Sequence, residues 1–281
     1  MTVLEKGSAR LVLAPEAGGA VAAFTHDGRD VMRAAPAGAT DALDTACFPL
    51  VPFCNRIPNG RFSFEGREIV LPPNLGDHPH ALHGQGWRGA WTVEQVEGEV
   101  AVLSYTHAPG DWPWAYRAEQ RFVLGEAGFR VELTVTNTDE AAMPAGLGFH
   151  PYFPRRPGET VTAVNDGAWM IDADVLPTVH HVGPWGPDWA AGAPVEGHDL
   201  IDNAYTGWNQ RAVLSAPGAP DTVVIASPEC HWLHVYVPPG QDFLCVEPCA
   251  NRPDPFGEGE TGMVVLQPGE SHSIWMTIAT D

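Results

Sequence analysis

The chain has 281 residues, enough for a large all-β domain with a sizeable core. Its 15 Lys and Arg stand against 35 Asp and Glu, a formal net charge of −20 that repels nucleic acid and anionic lipid, so neither is expected as a partner. A strongly anionic substrate is disfavoured by the same field, and a neutral small molecule fits better.

No apolar run nears the roughly 20 residues of a bilayer span. The opening MTVLEKGSARLVLAP lacks the basic end and long apolar stretch of a secretory signal, so a cytoplasmic location is expected. Cys47, Cys54, Cys230, Cys245 and Cys249 are odd in number and show no CxxC spacing, which reads as buried free thiols.

Gly and Pro, 30 and 27 residues, fall between short apolar runs and cut the chain into strands and turns. In chain order, strands are expected at residues 10–13, 61–71, 91–96, 100–106, 118–124, 129–135, 222–226, 232–237, 262–266 and 272–278. The clearest is 129–135, where Phe129, Val131, Leu133 and Val135 alternate with Arg130, Glu132 and Thr134. It follows the turn sequence GEAG at 125–128. Many strands at spacings of about ten residues, with no competing helical stripe, predict one all-β domain over 1–281 built as a large antiparallel β-sandwich. The Pro-, Gly- and Trp-rich stretch 182–197 reads as a long surface excursion, either a lid or a plain loop.

Several clusters carry chemistry. HPHALHGQGW at 78–87 places His78, His80 and His83 close together, with Gly84, Gly86 and Trp87 after them. Three imidazoles suggest a metal site, but the spacing has no helical HExxH frame and no carboxylate or thiolate ligand at a fixed offset. The alternative is a histidine that hydrogen-bonds a ligand in a cleft, with Trp87 offering a flat ring to a sugar face. In GFHPYFP at 148–154, His150 is enclosed by aromatic residues, and donating a proton there requires a nearby carboxylate. Glu247, in the apolar run DFLCVEPC, is the candidate general base, or else a strand-end partner of Arg252. Asn55 and Arg56 in FCNRIPNG, and Asp202 in LIDNAYTGW, are polar forks suited to vicinal hydroxyls.

Taken in order, NRIPNGRF, ALHG, GFHPYF, DNAYTGW, the VEP of FLCVEP and LQPGES resemble the aldose 1-epimerase, or galactose mutarotase, family over about residues 48–278. The usual LHGG of that family reads LHGQG here, and its NHSYF-like segment reads GFHPYF. The resemblance implies a galactose mutarotase-like supersandwich with an open sugar cleft. It also implies Glu247 as general base, His150 as general acid, and Arg56, His83 and Asp202 as substrate contacts. The implied reaction is interconversion of the anomers of a free monosaccharide, hexose or pentose, with no cofactor and no metal. Three other readings remain: an epimerase of hexose 6-phosphates using Arg88, Arg155 and Arg156, a non-catalytic carbohydrate-binding protein, and a metalloenzyme built on His78, His80 and His83. Nothing in the sequence specifies an oligomeric state.

Overall fold

A computed structural model describes all 281 residues. The chain is almost entirely antiparallel β-structure, with four single-turn 3₁₀ segments, and no helix is long and apolar enough to cross a membrane. One sheet of eleven strands runs in the order Thr2–Lys6, Ala9–Ala14, Ala20–His26, Cys47–Leu50, Gly148–Pro154, Phe243–Cys249, Trp232–Val237, Ile201–Thr206, Gly167–Ile171 and Pro177–Val182, with Arg29–Asp30 paired to the third. A second sheet of nine strands runs Thr92–Glu97, Val100–His107, Tyr116–Leu124, Gly128–Asn137, Ser271–Thr280, Thr222–Ala226, Arg211–Ser215, Thr160–Ala163 and Ala193–Pro194. The architecture is a large antiparallel β-sandwich built on these two sheets.

The second sheet follows the alternation in its sequence. In Gly128–Asn137 the apolar positions Phe129, Val131, Leu133 and Val135 are buried, and Arg130 on the opposite face is exposed. Every residue of Thr92–Glu97 is exposed, as suits an edge strand rich in Glu.

The middle of the eleven-stranded sheet obeys a different rule, because both of its faces are covered. On the inner face Phe149, Phe153, Leu233, Val235, Leu244 and Val246 join a main core of 59 buried residues. On the outer face Phe48, Tyr152, Ala204, Trp232, Cys245 and Cys249 belong to a separate cluster of 11. Strands buried on both sides read as unbroken apolar runs, so the period-two pattern fails to mark them. For that reason Cys47–Leu50, Gly148–Pro154 and Phe243–Cys249 are absent from the sequence-based strands, although Trp232–Val237 coincides with its expected range.

Other expectations are corrected in detail. Residues 61–71 form two strands, Arg61–Phe64 and Arg67–Val70, joined at Glu65 and Gly66 with φ of 50° and 75°, the hairpin turn whose two central residues are both left-handed. Only Val264–Leu266 of 262–266 is strand. The 182–197 stretch is not a lid: Trp189 is fully buried in the main core, and Ala193–Pro194 joins the nine-stranded sheet beside Thr160–Ala163. All five cysteines are free and buried.

Candidate active site

Strand register assembles the site. Phe48 is the partner of His150, and the pairs Gly148–Cys249 and Tyr152–Cys245 bracket His150 opposite Glu247. On its other side Glu247 is the partner of His234. Phe48, His150, Glu247 and His234 therefore form a row across four adjacent strands on the outer face. Asp202 joins from the next strand, where Ala204 partners His234 and Asp202 lies two residues away on the same face.

Two loops close over this row. Asn55 and His83 both take left-handed backbone, with φ of 60° and 58°, and clip together: the Asn55 N–H donates to His83 Nδ1 at 3.0 Å and the His83 N–H donates to the Asn55 carbonyl at 3.0 Å. A nitrogen that accepts carries no hydrogen, so His83 keeps its proton on Nε2 and offers a donor. The fully buried Asn251 carboxamide fixes the first loop from below, accepting from the Cys54 N–H at 2.9 Å and donating to the Cys54 carbonyl at 3.1 Å.

Together these elements enclose a cleft of about 490 Å³ lined by Asn55, Arg56, His83, His150, Asp202, His234 and Glu247, with Arg33, Tyr152 and Tyr236 also on its wall. That volume suits a small-molecule ligand. His150 Nε2 lies 3.5 Å from Glu247 Oε1. Its ring is stacked between Phe48 and Tyr152, with centroids at 4.6 and 4.7 Å, and Nδ1 has no hydrogen-bond partner, so aromatic packing holds that side of the ring. The Arg56 guanidinium is aimed by three acceptors: Nε donates to His78 Nε2 at 3.4 Å, Nη1 to Asn55 Oδ1 at 3.2 Å and Nη2 to Asp202 Oδ2 at 3.4 Å.

The electrostatics follow from burial. Desolvation, reinforced by the Asp202 charge, pushes the Glu247 carboxyl well above the usual carboxylate range, while Arg56 opposes this. Desolvation by burial lowers His150 to about 3. Burial first, then the nearby His150 and Arg56, hold His83 well below its ordinary value. At Asp202 burial acts upward, but the His234 hydrogen bond and surrounding positive charge outweigh it and the carboxyl is lowered. The cleft thus holds an ionised Asp202 and, next to it, a His150–Glu247 pair for which the uncharged forms are favoured.

Most sequence-named residues meet here, with exceptions. Trp87 does not line the cleft: its indole packs behind Phe48 at 5.6 Å and its Nε1 donates to the Gly84 carbonyl at 3.1 Å. Arg252 is not the partner of Glu247, since its guanidinium donates to the carbonyls of Pro253, Asp254, Glu258 and Glu260. His78, His80 and His83 do not converge: Nδ1 of His80 accepts from the Asn59 N–H at 2.9 Å, and that of His83 is taken by Asn55. The set able to approach a cation is His150, Cys245 and Glu247, with ligand atoms within 4.8 Å of one another. Burial holds both the Cys245 thiol and the Glu247 carboxyl in their protonated forms, so a cation would have to displace two protons. Sequence reading missed His234. Its signal was the one histidine within the apolar strand WLHVYV, at a position sharing its face with Trp232 and Tyr236.

Comparison with known proteins identifies the family and the fold. A family model described as aldose 1-epimerase matches residues 1–279. The chain is 32% identical to the uncharacterised Escherichia coli K12 protein YphB, covering 99% of this chain and 98% of that protein. A solved Escherichia coli K12 structure superposes with a TM-score of 0.92 at 31% identity, covering 99% of this chain and 98% of the other. A galactose mutarotase-like protein from Clostridium acetobutylicum shares the fold, with a TM-score of 0.88 at 18% identity over 99% of this chain and 94% of that one.

Proposed function

Because the chain belongs to the aldose 1-epimerase family and is an isomerase of that type, we propose that it interconverts the α and β anomers of a free aldose, hexose or pentose, with Glu247 and His150 as the acid–base pair. The observation that carries this reading is the 3.5 Å approach of His150 Nε2 to Glu247 Oε1 on the wall of a cleft of sugar-accommodating size. A non-catalytic sugar-binding protein has no need of such a pair.

In the reaction, Glu247 takes the proton of the anomeric hydroxyl, whose electrons form the carbonyl. The bond from the anomeric carbon to the ring oxygen breaks, and His150 protonates that oxygen. Rotation about the adjacent carbon–carbon bond presents the other carbonyl face, and closure with reversed proton transfers gives the opposite anomer. The pair needs one proton in total. Burial places it on the carboxyl in the sugar-free enzyme. The positive charge of Arg56 and hydrogen bonds from sugar hydroxyls favour the reactive carboxylate–imidazolium form. Arg56, Asn55, Asp202 and the His83 Nε2–H hold the hydroxyls, so the sugar meets the pair already oriented.

A free sugar is favoured over a phosphorylated one by the position of the arginines suited to phosphate. Arg88, Arg155 and Arg156 all lie outside the cleft lining, whereas Asp44 and Asp242 are part of it. Polarimetry on freshly dissolved α-glucose, α-galactose, xylose and arabinose tests the proposal. Acceleration of at least one is expected, and no acceleration of any, with binding retained, would leave a carbohydrate-binding protein.

A further inference from the structure

We propose that His234 is a positioning residue for the hydroxyl-binding wall, closing a circuit of four side chains that sets the Asp202 carboxylate and the Arg56 guanidinium in one frame; this rests on reading the cleft as a sugar site.

The circuit can be followed donor by donor. Arg56 can only donate, and its backbone N–H and Nη1 both reach Asn55 Oδ1, at 2.8 and 3.2 Å. That identifies the oxygen end of the Asn55 carboxamide and leaves Nδ2 to donate to His234 Nδ1 at 3.5 Å. With Nδ1 accepting, the imidazole hydrogen sits on Nε2, which donates to Asp202 Oδ1 at 2.6 Å. The remaining oxygen, Asp202 Oδ2, accepts from Arg56 Nη2 at 3.4 Å and completes the ring.

Only one state of His234 satisfies every link. The opposite tautomer sets two N–H groups against each other at Asn55 and leaves no donor for Asp202, and the imidazolium has the same conflict at Asn55. Asn55, Asp202 and His234 are all buried, so an unpaired group among them is costly. His234 stands opposite Glu247 in the sheet, but its hydrogen-bonding capacity is spent on Asn55 and Asp202. Loss of His234 should therefore weaken sugar binding while sparing the chemical step.

Three variants and one spectrum test this. His234→Phe removes both links and is expected to raise KM by roughly 10- to 100-fold with kcat within about 3-fold. His234→Gln can place an amide donor near Nε2 and is expected to keep KM within about 3-fold of the parent, whereas His234→Asn is too short to reach Asp202 and should resemble Phe. Melting temperatures and circular dichroism check that each variant is folded. Long-range ¹H–¹⁵N correlation on the intact histidine-labelled protein should show His234 with a bare Nδ1 and a protonated Nε2 at neutral pH, a readout that needs no turnover. An Nδ1–H tautomer or an imidazolium overturns the proposal, as does an unchanged KM in His234→Phe or a failure of Gln to outperform Phe. If the parent accelerates no aldose, anomerisation itself fails. The tautomer, together with galactose affinity by titration in the parent and His234→Phe, then decides the circuit separately.

Discussion

Glu247 and His234 are direct partners across the strands Trp232–Val237 and Phe243–Cys249. Glu247 also lies 3.5 Å from His150 on its other side, so one carboxyl group stands between two imidazoles in different settings. His150 is held by aromatic stacking and has a nitrogen without a partner, while His234 has both nitrogens engaged. The first can change its proton without breaking a network, and the second cannot.

Removing either member of the proposed pair should cost most of the activity without touching the fold. Glu247→Gln and His150→Asn are each expected to lower kcat by roughly 10²- to 10⁴-fold, the usual contribution of a positioned acid or base. Polarimetry reads the rate, and unchanged far-ultraviolet circular dichroism confirms the sheet. Near-normal mutarotation in either variant would remove that residue from the mechanism.

Asn251 should matter to both stability and activity. Its carboxamide makes three buried hydrogen bonds, to the Cys54 N–H, the Cys54 carbonyl and the Arg252 carbonyl. Asn251→Ala leaves those backbone groups unpaired beside the Asn55–Arg56 segment, at an expected cost of about 2–4 kcal/mol. A lowered midpoint in urea together with a raised KM is the expected pair of results. A stable variant with normal KM would show that the loop holds itself.

Gly84 tests the second loop. Its φ is 72°, and a Cβ there would collide with the Val51 carbonyl and the Pro52 ring. Gly84→Ala is expected to destabilise by about 1–3 kcal/mol and to displace the adjacent His83, raising KM for the sugar. Chemical denaturation and steady-state kinetics report the two effects independently.

Stability should depend on pH through the buried imidazoles. His83 and His150 have pKa values depressed from the ordinary 6.5, His150 to about 3, because burial disfavours the imidazolium. Below pH 6.5 the unfolded chain binds protons that the native state does not. Their contribution is therefore fully present above pH 6.5 and is lost as pH falls toward the depressed native values. Each such group adds a slope of up to about 1.4 kcal/mol per pH unit within that window. His83→Gln should flatten the decline in unfolding free energy between pH 6.5 and 4.5 relative to the parent, measured by urea titration. Parallel curves for the two proteins would mean that His83 is not held neutral.

The resemblance legible in the sequence rested on short polar motifs interrupting apolar runs, and the residues in them, Asn55, Arg56, His83, His150, Asp202 and Glu247, line one cleft. Trp87 was misplaced because its aromatic character signals burial and sugar stacking equally well, and here it supports Phe48. His234 went unnoticed because one imidazole in a strand means little until its neighbours are known.

What the sequence determined by itself was the class of fold and the chemical inventory. Alternation in half-buried strands such as Gly128–Asn137 is a local property, set by which side of one strand meets water. Tertiary structure decided which side chains confront one another. The central strands are covered on both faces, so their sequences carry no local record of register, and pairing between distant segments alone aligns His150, Glu247 and His234 in one row. The same burial that erases the pattern from the sequence takes Glu247 and His150 out of bulk water, and it is that desolvation which shifts their protons.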